Sequence, residues 1–390
     1  MTATDETPGE LRAADPVALT AELIRCPSVT PEEGGALALL EGLLAPAGFA
    51  CHRISRGGVE NLYARWGTGG PVFGFAGHTD VVPVGDVADW TADPFGGMEA
   101  DGVLWGRGAT DMKSGVGAFV AAALDFVGST PPEGSVALLI TGDEEGPAEH
   151  GTRAILDWMA ENGEQLDFCL VGEPTSVTRL GDVVKIGRRG SMTAELTVFG
   201  TQGHTAYPDR ATNPLPALAA ACLRLARTPI DLGSTHFQAS TLALTSIDTG
   251  NPASNVIPAS ATARFNIRFN DLHEPESIRI WVDQQIEEAL VGTGCNAEID
   301  WTVSGESFLT SPGPLTDIVV DAITDRLLER PALTTGGGTS DARFIKDHCP
   351  VVEFGLVGDT MHQVDERVPV ADIRRLAELY GDILHRFFGR

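Results

Sequence analysis

Val72-Phe73-Gly74-Phe75-Ala76-Gly77-His78-Thr79-Asp80 is an apolar run that ends on an imidazole and a carboxylate two residues apart. A short apolar run punctuated by glycine reads as a buried strand. In open α/β sheets the side chains just beyond such strands converge on one cleft. The pattern repeats along the chain. Ser135-Val136-Ala137-Leu138-Leu139-Ile140 leads into Thr141-Gly142-Asp143-Glu144-Glu145, and Phe168-Cys169-Leu170-Val171 leads into Gly172-Glu173-Pro174-Thr175. Asp111 stands in Gly108-Ala109-Thr110-Asp111-Met112-Lys113, before an Ala-rich helix expected from Met112 to Phe126. His362 lies in Thr360-Met361-His362-Gln363-Val364-Asp365-Glu366. Together these clusters read as one two-metal hydrolase site, because two divalent ions need about this many His and carboxylate ligands with positions left open for water.

Each cluster also has a plainer reading. His78 and Asp80 could form a polar turn. In extended chain, however, residues i and i+2 point the same way, so Asp80 is expected to accept the second ring N–H of His78 and fix its tautomer. Asp111 could be a helix N-cap, or its two oxygens could bridge two ions. Glu144 and Glu145 would face opposite sides of an extended chain, one binding metal and the other free as general base; the alternative is a solvated acidic loop. Glu173 could be a turn residue, and a lone His362 has little force by itself. His204, in Gly203-His204-Thr205-Ala206-Tyr207-Pro208, does not fit a compact two-metal shell; it is either a loop histidine or a donor to an oxyanion. The loop Gly336-Gly337-Gly338-Thr339-Ser340-Asp341 precedes a helix whose first N–H groups would suit a carboxylate, or it is a flexible turn. Gly106-Arg107-Gly108 lacks the Gly-Lys-Ser/Thr ending of a phosphate loop, so a nucleotide site is discounted.

At 390 residues the chain is too long for one ordinary core, and two domains are expected. Its 43% hydrophobic and 21% charged residues describe a soluble globular protein, with no apolar run long enough to span a bilayer. The acidic start Met1-Thr2-Ala3-Thr4-Asp5-Glu6 does not resemble a secretory signal. The six cysteines are widely spaced with no Cys-x-x-Cys pair, which suits reduced thiols in the cytoplasm. A net charge of −27 argues against nucleic acid or an anionic membrane as partner. An anionic small substrate would need a local arginine patch, for which Arg188, Arg189, Arg264, Arg268 and Arg343 are candidates.

Strand signals at Asn61–Trp66 and Val72–Ala76, the helix after Asp111 and the two later buried strands describe an α/β layer with a mostly parallel sheet. The character changes near Arg188. Ser191–Phe199 alternates with period two, as a half-solvated antiparallel strand does. A helix follows from about Asn213 to Arg227, then strands at Ala239–Ile247 and Ala259–Phe269, a helix at Pro275–Leu290 and a strand near Ala297–Val303. This β-α-β-β-α-β order suits a ferredoxin-like unit. Helices at Pro314–Glu329 and Ala371–Phe388 return to the first style. The expected architecture is a catalytic domain in two segments, 1–189 and 305–390, interrupted by an inserted α+β domain at 190–304. Residues 1–14 are expected to be loosely ordered.

These motifs, as an ordered set over essentially the whole chain, resemble the dizinc aminoacylase/carboxypeptidase family of metallopeptidases. The resemblance implies that His78 and Glu173 bind one zinc, Glu145 and His362 the other, and Asp111 bridges them. It makes Glu144 the general acid/base, with Co2+ able to substitute for Zn2+. It implies a lid domain that pairs two subunits, so that His204 reaches the partner's active site. Lys185–Ser191, Gly250–Pro258, Gly338–Arg343 and Met361–Glu366 point within the family to cleavage of N-succinyl-LL-2,6-diaminopimelate, in lysine and cell-wall precursor synthesis. Arg188, Tyr207, Asn255, Arg268, Thr339 and Arg343 would then bind substrate. The alternative is another deacylase on the same scaffold, acting on acetylornithine, an acylated amino acid or a peptide. One position departs from the pattern: some relatives carry Asn where this chain has Gly358.

Overall fold

The computed structural model describes residues 15–389, so the expectations for residues 1–14 lie outside the described residues. The chain divides into two compact units. The first takes in the described residues up to Ile186, Thr310–Leu333 and those from Ser340 onward; the second comprises Gly187–Leu309 and Thr334–Thr339. The expectation from sequence had placed the inserted segment at 190–304.

The first unit is built on an eight-stranded sheet. Its order is Ala50–Arg56, Val59–Trp66, Ser135–Thr141, Val72–His78, Phe168–Val171, Val351–Glu353, Val183–Lys185 and Ala332–Thr334. Val72–His78 and Ser135–Thr141 are buried at every position, as their unbroken apolar sequences require. They run parallel with Val72 opposite Ser135 and His78 opposite Thr141, and Phe168–Val171 lies parallel on the other side with Ala76 opposite Val171. This register sets the chain beyond His78, Thr141 and Val171 side by side at one end of the sheet.

The four central strands run parallel, while Val59–Trp66 on one side and Val183–Lys185 on the other pair with them antiparallel, so the sheet as a whole is mixed. Ala50–Arg56 and Val59–Trp66 form an antiparallel hairpin through Gly57-Gly58, both at positive φ (61° and 86°). Two such residues are what a tight hairpin turn needs, and glycine adopts that conformation without a Cβ clash.

Ser114–Ser129 packs against Val370–Phe387 and Pro16–Ile24. Phe119 stacks on Phe75 of the central strand at 4.1 Å and 12°, with Tyr380 edge-on to both at 5.7 Å. Burying one such ring contributes about 1.5–3 kcal/mol. The helix starts at Ser114 rather than Met112. Ala109–Lys113 forms a wider π-type turn in which Asp111 (φ −121°, ψ 98°) and Met112 (φ −130°, ψ 32°) leave helical geometry. The Asp111–Met112 peptide is cis.

The second unit holds strands Gly190–Phe199, Thr241–Asp248, Ser260–Phe269 and Asn296–Gly305, with helices Pro214–Arg227 and Pro275–Leu290 between them. In the sheet they lie in the order second, third, first, fourth, each pair antiparallel. This is the ferredoxin-like arrangement that the element order suggests. Met192, Ala194, Leu196 and Val198 alternate into the core against Leu218, Leu225, Ile278 and Val282. Asn213 caps its helix by accepting from Leu215 N at 3.0 Å. Among the described residues no helix is long and apolar enough to cross a membrane.

Candidate metal centre

His78 ends the central strand, fully buried. Its Nδ1 donates to the main-chain oxygen of Asp80 at 2.9 Å, while the Asp80 carboxylate stands 3.7 Å away. The expected carboxylate–imidazole bond is therefore replaced by a carbonyl–imidazole bond, which fixes the tautomer equally well. The Asp80 carboxylate is occupied elsewhere. It accepts from Thr30 Oγ1 at 2.7 Å, Glu144 N at 3.3 Å and Glu145 N at 3.1 Å. Burial raises its pKa to about 6, against the opposing pull of His78 and Thr30. Asp80 thus organises the turn that carries the two glutamates.

With Nδ1 committed, His78 Nε2 faces Asp111 Oδ1 at 3.2 Å and Glu173 Oε1 at 3.8 Å. The other oxygen of Asp111 lies 3.4 Å from His362 Nε2, which also meets Glu145 Oε1 at 2.9 Å. One carboxylate therefore stands between two imidazoles, each flanked by a further glutamate. Asp111 is not a helix cap, because Lys113 holds that position. His362 has positive φ (60°), an uncommon backbone state for a non-glycine residue that is enriched at functional sites.

Glu144 and Glu145 lie in a turn rather than in extended chain. They still separate. Glu144 groups with His78 and Glu173, and Glu145 with His78 and Asp111, the possible ligand atoms of each group lying within 4.8 Å of one another.

The charges are crowded. Burial opposes a proton on His78, yet Asp111, Asp80, Glu144 and Glu173 raise its pKa well above the ordinary value. Hydrogen bonds to Asp111 and Glu145 raise His362 to about 10. Burial works to raise Asp111, but the two imidazoles outweigh it and hold the carboxyl well below its usual range. Burial and then the Glu173 charge push Glu144 well above the carboxylate range. Asp341 is also raised by burial; its Oδ2 accepts from Thr152 at 2.7 Å.

This donor set fits divalent cations. Imidazole nitrogens and carboxylate oxygens are the usual partners of zinc, and ligand atoms about 2 Å from a tetrahedral ion lie about 3.3 Å from one another. The separations of 3.2 and 3.4 Å around Asp111 match that spacing.

The remaining sequence-predicted residues fall in separate places. Arg343 belongs to the first unit, on the one-turn helix Ala342–Ile345, with its guanidinium 4.6 Å from the Phe344 ring. A helix this short, led by the buried Asp341, gives no support to a carboxylate site at its start. Arg188, His204, Tyr207, Asn255, Arg268 and Thr339 belong to the second unit. There His204 and Tyr207 stand with rings 5.8 Å apart, and the Asn255 carbonyl accepts from Thr205 N at 3.1 Å. Gly203–His204 pairs with Val256–Ile257 as a two-residue ribbon. Arg188 is buried and donates to Gly338 O at 3.0 Å, beside Thr339. Arg268 donates through Nε to Asn266 at 3.0 Å. Of the other arginines, Arg264 pairs with Glu195 at 2.7 Å and Arg189 reaches Thr241 at 3.5 Å. At Gly358 an added Cβ would lie 2.3 Å from Met361 Cε, so a side chain there requires Met361 to move.

Sequence reasoning missed Thr30, Arg107 and Glu366. Thr30 carries no local signal. Glu366 stood inside the His362 segment as one more acid, and only its burial marks it.

The sequence profile of peptidase family M20/M25/M40 matches residues 74–386. A succinyl-diaminopimelate desuccinylase of Cereibacter sphaeroides is 62% identical over 376 residues, which cover 96% of this chain and 99% of the relative. Among solved structures, aminopeptidase PepT from Bacillus cereus superposes with a TM-score of 0.79 at 18% identity, covering 98% of this chain and 100% of that one. The YXEP protein of Bacillus subtilis, described as a dinuclear metal binding peptidase from M20 family, gives 0.74 at 15% identity over 97% of this chain and 98% of that one. At these identities the structures speak for the fold, while the profile and the long, close relative speak for descent. The chain belongs to peptidase family M20/M25/M40.

Proposed function

We propose that this chain is a metal-dependent amide hydrolase that cleaves N-succinyl-LL-2,6-diaminopimelate to succinate and LL-2,6-diaminopimelate, in lysine and cell-wall precursor synthesis. The chemistry rests on one observation, the Asp111 carboxylate standing between His78 and His362. The substrate rests on the activity named for the desuccinylase relative. His78 and Glu173 would hold one Zn2+, Glu145 and His362 the other, and Asp111 both, with Co2+ able to replace either ion. When bound, such a pair supplies a Lewis acid for the amide carbonyl and lowers the pKa of water toward neutrality.

The chain's own groups do the rest. Glu144 accepts the proton of the attacking water. It returns that proton to the leaving amine as the C–N bond breaks. Asp80 holds the Glu144 and Glu145 amides, so acid and ligand keep their separation. The substrate carries three carboxylates. Arg188, Arg268 and Arg343, with Tyr207, Asn255 and Thr339, would receive them, which gives arginines a task in a chain of net charge −27. His204 of the partner subunit in a cytoplasmic homodimer would donate to the oxyanion.

The test is succinate release, compared with release of acetate from N-acetylornithine. Faster cleavage of the succinylated diaminopimelate supports the reading, and faster cleavage of acetylornithine overturns the substrate. Mixing Glu144→Ala with His204→Ala subunits tests donation across the dimer. A heterodimer then holds one site with neither defect, so activity should return. No recovery after verified subunit exchange would place His204 in its own subunit's site or outside catalysis.

A further inference from the structure

Glu366 has no part in the chemistry above, yet it is 1% exposed and four donors converge on it. Arg107 Nη1 (2.8 Å) and Gly108 N (3.0 Å) bind its Oε2; Thr110 N (2.8 Å) and Asp111 N (3.0 Å) bind its Oε1. Three main-chain amides of the turn that carries Asp111, including that of Asp111 itself, are thus fastened to a side chain four residues beyond His362. The Glu366 carbonyl also accepts from Gly106 N at 2.9 Å.

Arg107 extends the network. It is 2% exposed, and its Nη1 also donates to the Gln363 carbonyl at 3.1 Å, next to His362. Its Nη2 reaches the Pro83 carbonyl at 3.4 Å, on the segment that continues from His78 and Asp80. The guanidinium centre lies 5.1 Å from the Trp90 ring. One buried ion pair therefore ties together the segments that follow His78, carry Asp111 and surround His362.

The segment around His362 needs such a tie. His362 and Asp365 both have positive φ, 60° and 58°. Backbone of this kind persists only where its surroundings over-determine it. A carboxylate accepting four hydrogen bonds, one of them from a guanidinium, supplies that constraint in charge-assisted form.

We propose that Glu366, with Arg107, is a positioning pair that sets the separation of Asp111 from His362 and thereby the affinity of the metal centre. The inference rests on the reading of Asp111, Glu145 and His362 as ligands, and it assigns Glu366 no contact with substrate. Groups that orient ligands in this way typically govern metal affinity by about 10–100-fold. A buried pair that served the fold alone would lower stability and leave affinity unchanged.

The test uses the full chain, stripped with chelator and titrated with Co2+ against a chromophoric competitor, with the visible d–d absorption of the loaded protein as a second readout. Glu366→Gln cannot accept all four bonds, because its amide nitrogen faces donors. It is expected to keep a cooperative fold, to bind Co2+ about 10–100-fold more weakly than the unaltered chain, and to show an altered d–d spectrum. Arg107→Lys keeps the buried charge but loses the fork that reaches Gln363 and Pro83; it is expected to weaken Co2+ binding in the same direction by a smaller factor. Unaltered Co2+ affinity and spectrum in a folded Glu366→Gln protein overturn the proposal, even if its melting temperature falls. Should Glu366→Gln not fold, unaltered affinity in Arg107→Lys overturns it. If the unaltered chain itself takes up fewer than two Co2+, the ligand reading fails instead, so the two failures are distinguishable.

Discussion

Gly115→Ala adds one methyl group to the helix that follows Asp111, and the structure opposes two effects of known size. Alanine inside a helix is better than glycine by about 0.5–1 kcal/mol. Gly115 lies in Ser114–Ser129 with φ outside the left-handed range, so this gain is available. A Cβ at this position, however, would lie 2.6 Å from the carbonyl oxygen of Gly172, the residue before Glu173. That atom is backbone and cannot swing aside, and an ordinary contact begins at 3.4 Å, so the Glu173 turn must retreat by about 0.8 Å. Overpacking of this kind costs about 1–3 kcal/mol, and the expected net loss is about 1 kcal/mol. A shift of this order in a ligand-bearing turn can lower the rate by about 10²-fold. Gly128, in the same helix, has no atom within 4 Å of its would-be Cβ, so Gly128→Ala should stabilise by about 0.5–1 kcal/mol and leave the rate unchanged. Denaturant unfolding and hydrolysis rates at saturating zinc, measured on both variants, give the comparison. If Gly115→Ala gains stability as Gly128→Ala does and stays fully active, the close approach of helix to turn does not fix Glu173.

Three further outcomes are expected. Glu144→Ala should keep both ions and lose about 10²–10⁴-fold or more in rate, whereas Glu145→Ala should lose metal; zinc analysis showing the reverse would exchange the two roles. In the metal-free chain at pH 7, His362 carries a proton, because hydrogen bonds to Asp111 and Glu145 raise its pKa to about 10. Zinc uptake should therefore release at least that proton, readable by calorimetry in buffers of different ionisation enthalpy; no release would contradict the raised value. The sign for stability follows: the His362 contribution in the metal-free chain is present in full below about pH 6.5 and is lost as pH rises toward about 10. Finally, all six cysteines are free; Cys169, Cys222, Cys295 and Cys349 are buried, and burial raises the thiol of Cys349 to about 12. Thiol titration of the native protein at pH 8 should find only Cys26 and Cys51 reacting readily, and all six in denaturant; a shortfall in denaturant would mean a disulfide.

What the sequence made legible follows one physical rule. An apolar run long enough for a strand and ending on a polar residue marks both the strand and its exit, so His78, the Glu144-Glu145 turn and Glu173 could be read as neighbours before any register was known. Period-two alternation from Met192 to Val198 revealed the second unit in the same way. The rest depends on what meets across the fold. Nothing local says that Ala109–Lys113 widens into a π-type turn, or that the Asp80 carboxylate holds the Glu144 and Glu145 amides and leaves His78 to a carbonyl. Glu366 is the sharpest case. Among 54 acidic residues it has no distinguishing neighbour, and its partners at positions 107–111 are more than 250 residues away. The antiparallel flanks of the sheet were hidden for a related reason. The Gly57-Gly58 hairpin is local, but where it attaches is decided by the pairing of Leu62–Trp66 with Val136–Ile140.

The central claim is that Asp111 is shared by two ions. Anomalous diffraction at the zinc edge from crystals of the zinc-loaded protein tests it directly. Two peaks about 3.5–4 Å apart are expected, one beside His78 and Glu173, the other beside Glu145 and His362, each in contact with one oxygen of Asp111. A single peak, or two peaks joined through Glu144 with Asp111 bound to only one of them, would contradict it.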